Sequence, residues 1–570
     1  MPVAVAARRD APAVGHNVAV SRPVTTAIVR ASTLGVVIIG VVAAAVGLHR
    51  SGHNAGDDFA LYVRQAQSVF EGSMADVLSD NRYTVTTSGG LFGPISYPWG
   101  FPLMLSPFVH LWKLDYDKLK LVEVAIFCGF LVLFHGIVRR RINRPVALLA
   151  VAVVGLSPLY LRHTDSLLSE FPHMLMVAVV VWWMDRLLVR SSWLTARHRD
   201  LVILGLLGAL CFNTRREGLV FFGVFAAAQA VEVFGVWRRR PRRASWRRAF
   251  DQIDGWTLAT PHLAFVGGIV GFHLLMPSML IPDNDDRLGY IPTRTKDAVN
   301  VIADQVGFGL HTAWGAVILA AGAVGAVIAC IRRPALHVPL VALTVGSGLM
   351  VGTHFRLIPR YYFQITPFVL LYAAFAVIAV VDVVVGALPE RSTPSRSDGR
   401  DHAQTGVWRS VVGWGLAVVL MAALLPAKVN GLRQQIDDIQ AANGTDVPQY
   451  GPDHPQLQAI FGAVEGETRA DDVVGFFRAR LMTLYTDRRT LQTTNLEVMA
   501  RNADYYAMRK NSVYSQPAVT DLGAARYNMT AVWQDTYWIL WRFDDAHDAA
   551  ADAPEGVGSE LPAQDPGLDS

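Results

Sequence analysis

Two neighbouring carboxylates, Asp57 and Asp58, follow the first long apolar run of the chain. Ionised acids beside a membrane are costly unless they are paired or used. Acid–base catalysis is one use. Capping is another, because Asp at a helix N-terminus accepts backbone N–H bonds and complements the dipole. The residues themselves leave both open. On a helix running through Ala66 and Val69, Asp58 shares a face with Tyr62 and Gln65, and Asp57 lies with Leu61 and Arg64. One carboxylate is therefore expected to face a cavity and the other a salt bridge.

The surrounding chain must hold that pair at a bilayer. Of its 570 residues, 52% are hydrophobic and only 17% charged, a balance that excludes an ordinary soluble enzyme. Apolar windows of spanning length fall near 31–49, 119–138, 145–161, 171–189, 200–213, 218–236, 257–281, 311–331, 335–353, 365–386 and 409–427, which makes about eleven expected transmembrane helices. The run 200–213 is short and ends at Asn213-Thr214-Arg215-Arg216-Glu217. Cys128, Cys211 and Cys330 sit inside apolar runs without metal-ligand spacing, so neither a disulfide framework nor a zinc site is indicated.

Positive charge orients these windows, since cytoplasmic connections carry excess Lys and Arg. With the N-terminal segment 1–30 inside, alternate connections hold Arg139-Arg140-Arg141 with Arg144, then Arg190, Arg197 and Arg199, the run Arg238 to Arg248, Arg332-Arg333, and Arg391 to Arg409. All are basic, and the long Arg run between two spans reads as topogenic and lipid-facing rather than as a nucleic-acid site. The outer side then receives loop 50–118, the turns at 162–170 and 214–217, loops 282–310 and 354–364, and everything after about 428. In a bacterium this places a multi-pass protein in the cytoplasmic (inner) membrane with its C-terminal part outside.

Segment 388–408 is a polar connector, and 31–428 forms the membrane module. Beyond it, strand-like runs at Val473 to Phe477, Tyr505 to Met508, Ala531 to Trp533 and Tyr537 to Trp541 alternate with helical runs at Leu457 to Val464 and Arg480 to Tyr485. They predict a small α/β domain over 429–543, followed by an acidic, disordered tail over 544–570. The chain has no G-x-x-x-x-G-K-[ST], H-E-x-x-H or G-x-S-x-G, so nucleotide hydrolysis, zinc proteolysis and the common serine-esterase arrangement lack support.

Several patches together resemble a known family. Asp57-Asp58-Phe59-Ala60-Leu61-Tyr62, followed by Tyr97-Pro98-Trp99-Gly100-Phe101-Pro102, is similar to the first outer loop of the C-superfamily (GT-C) glycosyltransferases. Ser157-Pro158, Ser169-Glu170-Phe171-Pro172, Asn213-Thr214-Arg215-Arg216-Glu217-Gly218 and Arg360-Tyr361-Tyr362 fall where those enzymes have similar patches. The resemblance covers most of the membrane part. It implies an enzyme that moves a sugar from a polyprenyl-phosphate donor to an acceptor hydroxyl of a cell-envelope glycan, lipid or protein on the outer face. Mannosyl and arabinofuranosyl donors would suit such an envelope. The rivals are a transporter or flippase of polyprenyl-linked sugars, and a non-catalytic partner of an envelope-assembly complex.

Within the resemblance, an acid of the first outer loop is the catalytic carboxylate, matched here by Asp57 or Asp58, and its task is to take the acceptor proton. The phosphate leaving group needs cations rather than a proton, and the forked guanidinium suits it. The candidates are Arg356 and Arg360 first, then Arg215, Arg216, Arg287, Arg294 and Lys296, with snorkelling to headgroups as the alternative for each. Sugar or acceptor contacts are expected from Tyr62, Tyr97, Glu170, Tyr361, Tyr362 and His163, with His354 a further outer imidazole. Some members of the family use a divalent cation, Mg or Mn. The acidic loop Pro282-Asp283-Asn284-Asp285-Asp286-Arg287 offers hard oxygens but lacks the glycine and terminal glutamate of an EF-hand. The C-terminal domain contains no catalytic constellation and is expected to bind acceptor or pack over the site.

Overall fold

Capping residues and prolines set the helix limits. A computed structural model describes residues 24–88, 94–190, 192–239, 253–276, 290–307, 312–354, 358–387, 430–510 and 516–544. The membrane part contains α1 (Val24–Gly47), α2 (Asp58–Glu71), α3 (Met74–Thr87), α4 (Gly100–Trp112), α5 (Tyr116–Val138), α6 (Arg144–Gly155), α7 (Pro158–His163), α8 (Glu170–Arg190), α9 (His198–Thr214), α10 (Val220–Arg239), α11 (Gly255–Leu275), α12 (Tyr290–Gly307), α13 (Thr312–Arg332), α14 (Pro334–Gly352) and α15 (Thr366–Ala387). Asp115 caps α5 by accepting from Lys118 N, Asn143 caps α6 from Val146 N, and Asp254 caps α11 from Trp256 N and Thr257 N.

The chain is an α-helical, polytopic membrane protein with a small α/β C-terminal part. Among the described residues, six stretches are long and apolar enough to span: Tyr116–Val138, Glu170–Val189, Arg216–Arg238, Gly255–Leu275, Ala313–Arg332 and Pro334–Gly352. Thr33–Gly47, Arg144–Gly155 and Thr366–Val381 are shorter apolar helices. One expected window does not form a single helix. Over 145–161 the chain breaks between α6 and α7, because Ser157 precedes Pro158 and takes an extended conformation, φ −70° and ψ 122°. The expected span 409–427, the connector 388–408, the acidic loop 282–287, the tail from 545 and the N-terminal segment to residue 23 lie outside the described residues.

At the end of the helices away from Asp58, the guanidinium of Arg141 makes two parallel bonds to buried Asp185, 2.7 and 2.8 Å, and donates to Leu336 O at 3.1 Å. This ties the end of α5 to α8 and α14 through a buried, fully forked pair. Pro261 O and Phe265 N on α11 lie so close to Gly205 of α9 that a Cβ there would collide, so these helices pack backbone to backbone.

After a helix over 430–443, the C-terminal part comprises α16 (Pro455–Glu467), β1 (Val473–Gly475), α17 (Ala479–Thr486), β2 (Arg489–Leu491), α18 (Leu496–Asn502), β3 (Tyr505–Arg509), α19 (Asp521–Arg526), β4 (Met529–Gln534) and β5 (Trp538–Phe543). The sheet order is β2-β1-β3-β5-β4. β1 pairs in parallel with β2 and β3, whereas β5 pairs antiparallel with β3 and β4. Its inner face does not close on itself. Phe461, Phe476, Leu481, Trp538 and Leu540 share one buried cluster with Phe59, Tyr62 and Val63 of α2, Phe101 and Leu105 of α4, and Tyr116 and Leu119 of α5. α3 adds polar stitches, with Tyr83 Oη donating to Asn502 O at 2.7 Å and Thr84 Oγ1 to Thr490 O at 2.8 Å.

Candidate active site

The loop that delivers α2 is pinned by a lysine with no exposed surface. Lys120, at the start of α5, donates to Arg50 O at 2.5 Å, Gly52 O at 2.7 Å and Asp165 Oδ1 at 2.8 Å. Burial lifts the Asp165 carboxyl to about 6, even though Lys120 pulls it down. His53 lies 3.8 Å from the Phe59 ring and accepts from Leu167 N, so the turn between α7 and α8 meets the first turn of α2.

The two carboxylates then part. Asp57 stands at the N-cap position of α2 but makes no capping bond. It is 8% exposed and turned to the C-terminal domain, where Oδ1 accepts from Leu481 N at 3.4 Å and Oδ2 has no protein partner among the described residues. Burial raises its carboxyl to about 6, opposed by Arg478 and Arg480. Arg64 does not pair with it, binding Asp80 and Asp487 instead at 2.8 and 3.1 Å. The side chain of Asp58 is 41% exposed. Its Oδ1 accepts from Tyr97 Oη at 2.6 Å, and its Oδ2 from Arg360 Nη2 at 3.2 Å. Burial, then the Asp58 charge, holds the Tyr97 phenol well above its ordinary pKa, so it stays a donor.

Tyr97 is fixed on three sides. Its backbone exchanges two bonds of 3.1 Å with the Gln65 amide. Its ring stacks on Tyr62 at 4.3 Å. Its hydroxyl accepts from Arg480 Nη1 at 3.2 Å. Tyr62 in turn donates to Ser169 Oγ at 2.9 Å.

A second layer brings the membrane helices to the same place. Glu170 opens α8, yet its side chain turns to two cations: Arg215 Nη1 and Arg360 Nε each lie 3.0 Å from Oε1. Arg215 also pairs with Glu217 at 2.8 Å and lies over the Tyr361 ring at 4.8 Å, with Arg360 5.8 Å from that ring. Burial would depress Arg360, but Glu170 and Asp58 hold it protonated above its usual value. Gly100 makes this approach possible, because a Cβ there would stand 2.7 Å from Asn213 O and from Thr214 Oγ1, just before Arg215. Asp58, Tyr97, Arg360, Glu170, Arg215, Tyr361 and Tyr62 thus form one connected group.

The other expected residues are differently placed. Tyr362, in the short 3-10 turn Pro359–Tyr362, is buried among Val306, Val351, Ile365 and Val369. Arg216 lies over Phe212 at 5.1 Å. Arg294 and Lys296 belong to α12. His163 binds Leu159 O at 2.8 Å and meets Phe363 edge-on, and His354 lies 4.9 Å from the Tyr361 ring. Arg356 and Arg287 lie outside the described residues. The described acids do not fit a divalent cation: no group of three or more His, Cys, Asp or Glu among the described residues could hold one, and the Arg360 guanidinium already bridges Asp58 and Glu170. Lys120 and Arg480 were not anticipated as parts of the site. Lys120 did leave a signal, a cation inside the start of an apolar window.

The fold and the charged group define a class: a polytopic membrane protein with an acid–guanidinium–phenol centre at one end of its helices, roofed by a small sheet domain. No family model matches the chain, and no curated protein is significantly similar to it. Among solved structures it is similar to ArnT from Cupriavidus metallidurans in the apo state, at 13% identity over 91% of this chain and 98% of that one, TM-score 0.48. ArnT bound to undecaprenyl phosphate gives 11% identity, 92% and 99% coverage and a TM-score of 0.47. The archaeal oligosaccharyltransferase AglB from Archaeoglobus fulgidus, in complex with an inhibitory peptide and a dolichol-phosphate, gives 11%, 84%, 69% and 0.46. At these values the likeness is one of overall arrangement, and the chemistry below rests on this chain's own residues.

Proposed function

We propose that the chain is a membrane glycosyltransferase of the GT-C type. It moves a sugar from a polyprenyl-phosphate donor to an acceptor hydroxyl of an envelope glycan, lipid or protein, at the outer face of the cytoplasmic membrane. The observation that carries this reading is the half-exposed Asp58 carboxylate beside Arg360, at the end of apolar helices. A base for a hydroxyl and a cation for a phosphate thereby adjoin where a lipid carrier's head would lie.

The acceptor oxygen bonds to the anomeric carbon as the carbon–oxygen bond to the phosphate breaks, and the acceptor proton passes to Asp58 Oδ2. Oδ1 is committed to Tyr97. The phosphate leaves with the bonding electrons and needs no proton, so its charge falls to Arg360 and Arg215. As the donor binds, Arg360 exchanges Asp58 for the phosphate, which frees Oδ2 before the transfer begins. Glu170 keeps both guanidinium groups aimed while this happens. Asp57 docks the C-terminal domain and takes no proton from the acceptor.

Purified protein given radiolabelled polyprenyl-phosphate sugars and envelope acceptors is expected to transfer label, and Asp58→Asn to lower transfer by roughly 10²–10⁴-fold. Asp57→Asn is expected to keep transfer, and full transfer by Asp58→Asn would overturn the assignment. Absence of transfer with every donor, alongside movement of labelled lipid across vesicles, would replace the enzyme with a flippase.

A further inference from the structure

Arg480 reaches the centre from the C-terminal domain and is 4% exposed. Its Nε donates to Asn81 Oδ1 at 3.0 Å and its Nη2 to Pro94 O at 2.9 Å. These bonds alone would anchor it between α3, the segment before α4, and α17. Its Nη1, however, donates to Tyr97 Oη at 3.2 Å and lies 3.9 Å from Asp58 Oδ1. The phenol oxygen therefore accepts from a guanidinium while its proton points to a carboxylate. Such a chain runs one way, and each bond polarises the next. One residue further on, Leu481 N meets Asp57. The start of α17 thus contacts both members of the acidic pair.

Resting on the glycosyltransferase reading, we propose that the C-terminal domain is a working part of the centre: Arg480 is a positioning residue that acts through Tyr97 to hold Asp58 with Oδ1 engaged and Oδ2 presented to the acceptor. Among the described residues, the groups facing Asp58 include Tyr97 and Arg480 on one side, Arg360 and Tyr361 on the other, Tyr62 on its own helix and Asp57 just before it. Removing the Arg480 charge takes one cation from beside Asp58, keeps the Arg360 pair, and removes the donor that fixes the Tyr97 hydroxyl. Asp58 then protonates more readily, and its proton-accepting oxygen is less fixed.

The test is the pH dependence of sugar transfer for the wild type, Arg480→Gln, Arg480→Lys, Tyr97→Phe, and the Arg480→Gln/Tyr97→Phe double variant. Arg480→Gln is expected to lower kcat by about 10–100-fold with donor KM within about twofold, and to move the acid limb up by roughly 0.5–1 pH unit. The double variant is expected to lose little beyond Tyr97→Phe, as groups acting in series do. An unmoved limb, or losses that multiply, would overturn the proposal. Should Arg480→Gln fail to fold, Arg480→Lys decides: the charge is kept without the fork, so the limb stays and kcat falls by about 3–10-fold, whereas an unchanged kcat overturns the role. Infrared titration reads the same group without any transfer, through the protonated-carboxyl band that Asp58→Asn removes. Were the wild type to transfer no sugar, the glycosyltransferase reading would fall, and the infrared midpoint would still judge Arg480. An upward shift in Arg480→Gln supports it, and an unmoved midpoint refutes it.

Discussion

Asp57 and Asp58 are adjacent in sequence, yet one faces a hydrophobic junction and the other a charged opening. Helical geometry accounts for the parting, since consecutive side chains on a helix diverge by about 100°. Their separation was therefore legible from periodicity. Their destinations were not, because Asp57 meets Leu481, 424 positions away. The split has a measurable sign. The Asp57 carboxyl is raised from 3.8 to about 6, so the folded state binds its proton more tightly than the unfolded chain does. Stability from this group is full below its unfolded pKa, and it is lost as pH rises toward about 6. Asp57→Asn keeps the Leu481 bond without the buried charge. It is expected to raise the thermal midpoint at neutral pH, on the order of 1–3 kcal/mol in stability, with little gain near pH 4. A melting series across pH checks this, and an unchanged pH profile would remove Asp57 from the junction's energetics. Glu170→Gln is expected to act differently, loosening Arg215 and Arg360 together. It should raise donor KM and lower kcat, and kinetics against donor concentration measure both.

Elements place the arginines more than their own sequence does. Arg215 ends a helix that approaches α4 only because position 100 has no side chain. Gly100→Ala must push the Asn213 carbonyl aside, a backbone shift costing about 1–3 kcal/mol. The expected outcome is a lower melting midpoint together with a raised donor KM, because Arg215 moves with its helix; a wild-type KM would show that Arg215 does not hold the donor. The apolar windows made most long helices legible, and Pro158 explains the one that breaks. α3, α4 and α12 escaped that reading because they are short or polar and lie in stretches that looked like loops. Tyr361 and Tyr362 show the same limit at finer grain: an aromatic pair was visible, but a tight turn sends only the first ring to Arg215 and Arg360.

Taken whole, the molecule has a charged centre and the sheet domain at one end of its helices and the Arg141–Asp185 pair at the other. We expect the first end to face outward. In a background lacking Cys128, Cys211 and Cys330, a cysteine at Ala75 should react with an impermeant maleimide from outside intact cells. One at Arg139 should react only after the membrane is opened, and the reverse pattern would invert the topology. The helical class and the mixed tail could be read along the chain because they follow from local pattern. The centre could not, since the buried cluster beneath it joins α2, α4 and α5 to a domain at the far end of the sequence. That junction sets a timetable. Asn81 and Arg480 are 399 residues apart, and a ribosome adding roughly 5–20 residues per second needs tens of seconds to cross the gap. Throughout that interval Phe59, Tyr62 and Phe101 have no roof, and a message cut short before residue 455 would leave them open for good. An unfinished copy thus differs from a finished one by an open apolar face, and truncated chains should be short-lived prey for membrane proteases and holding chaperones.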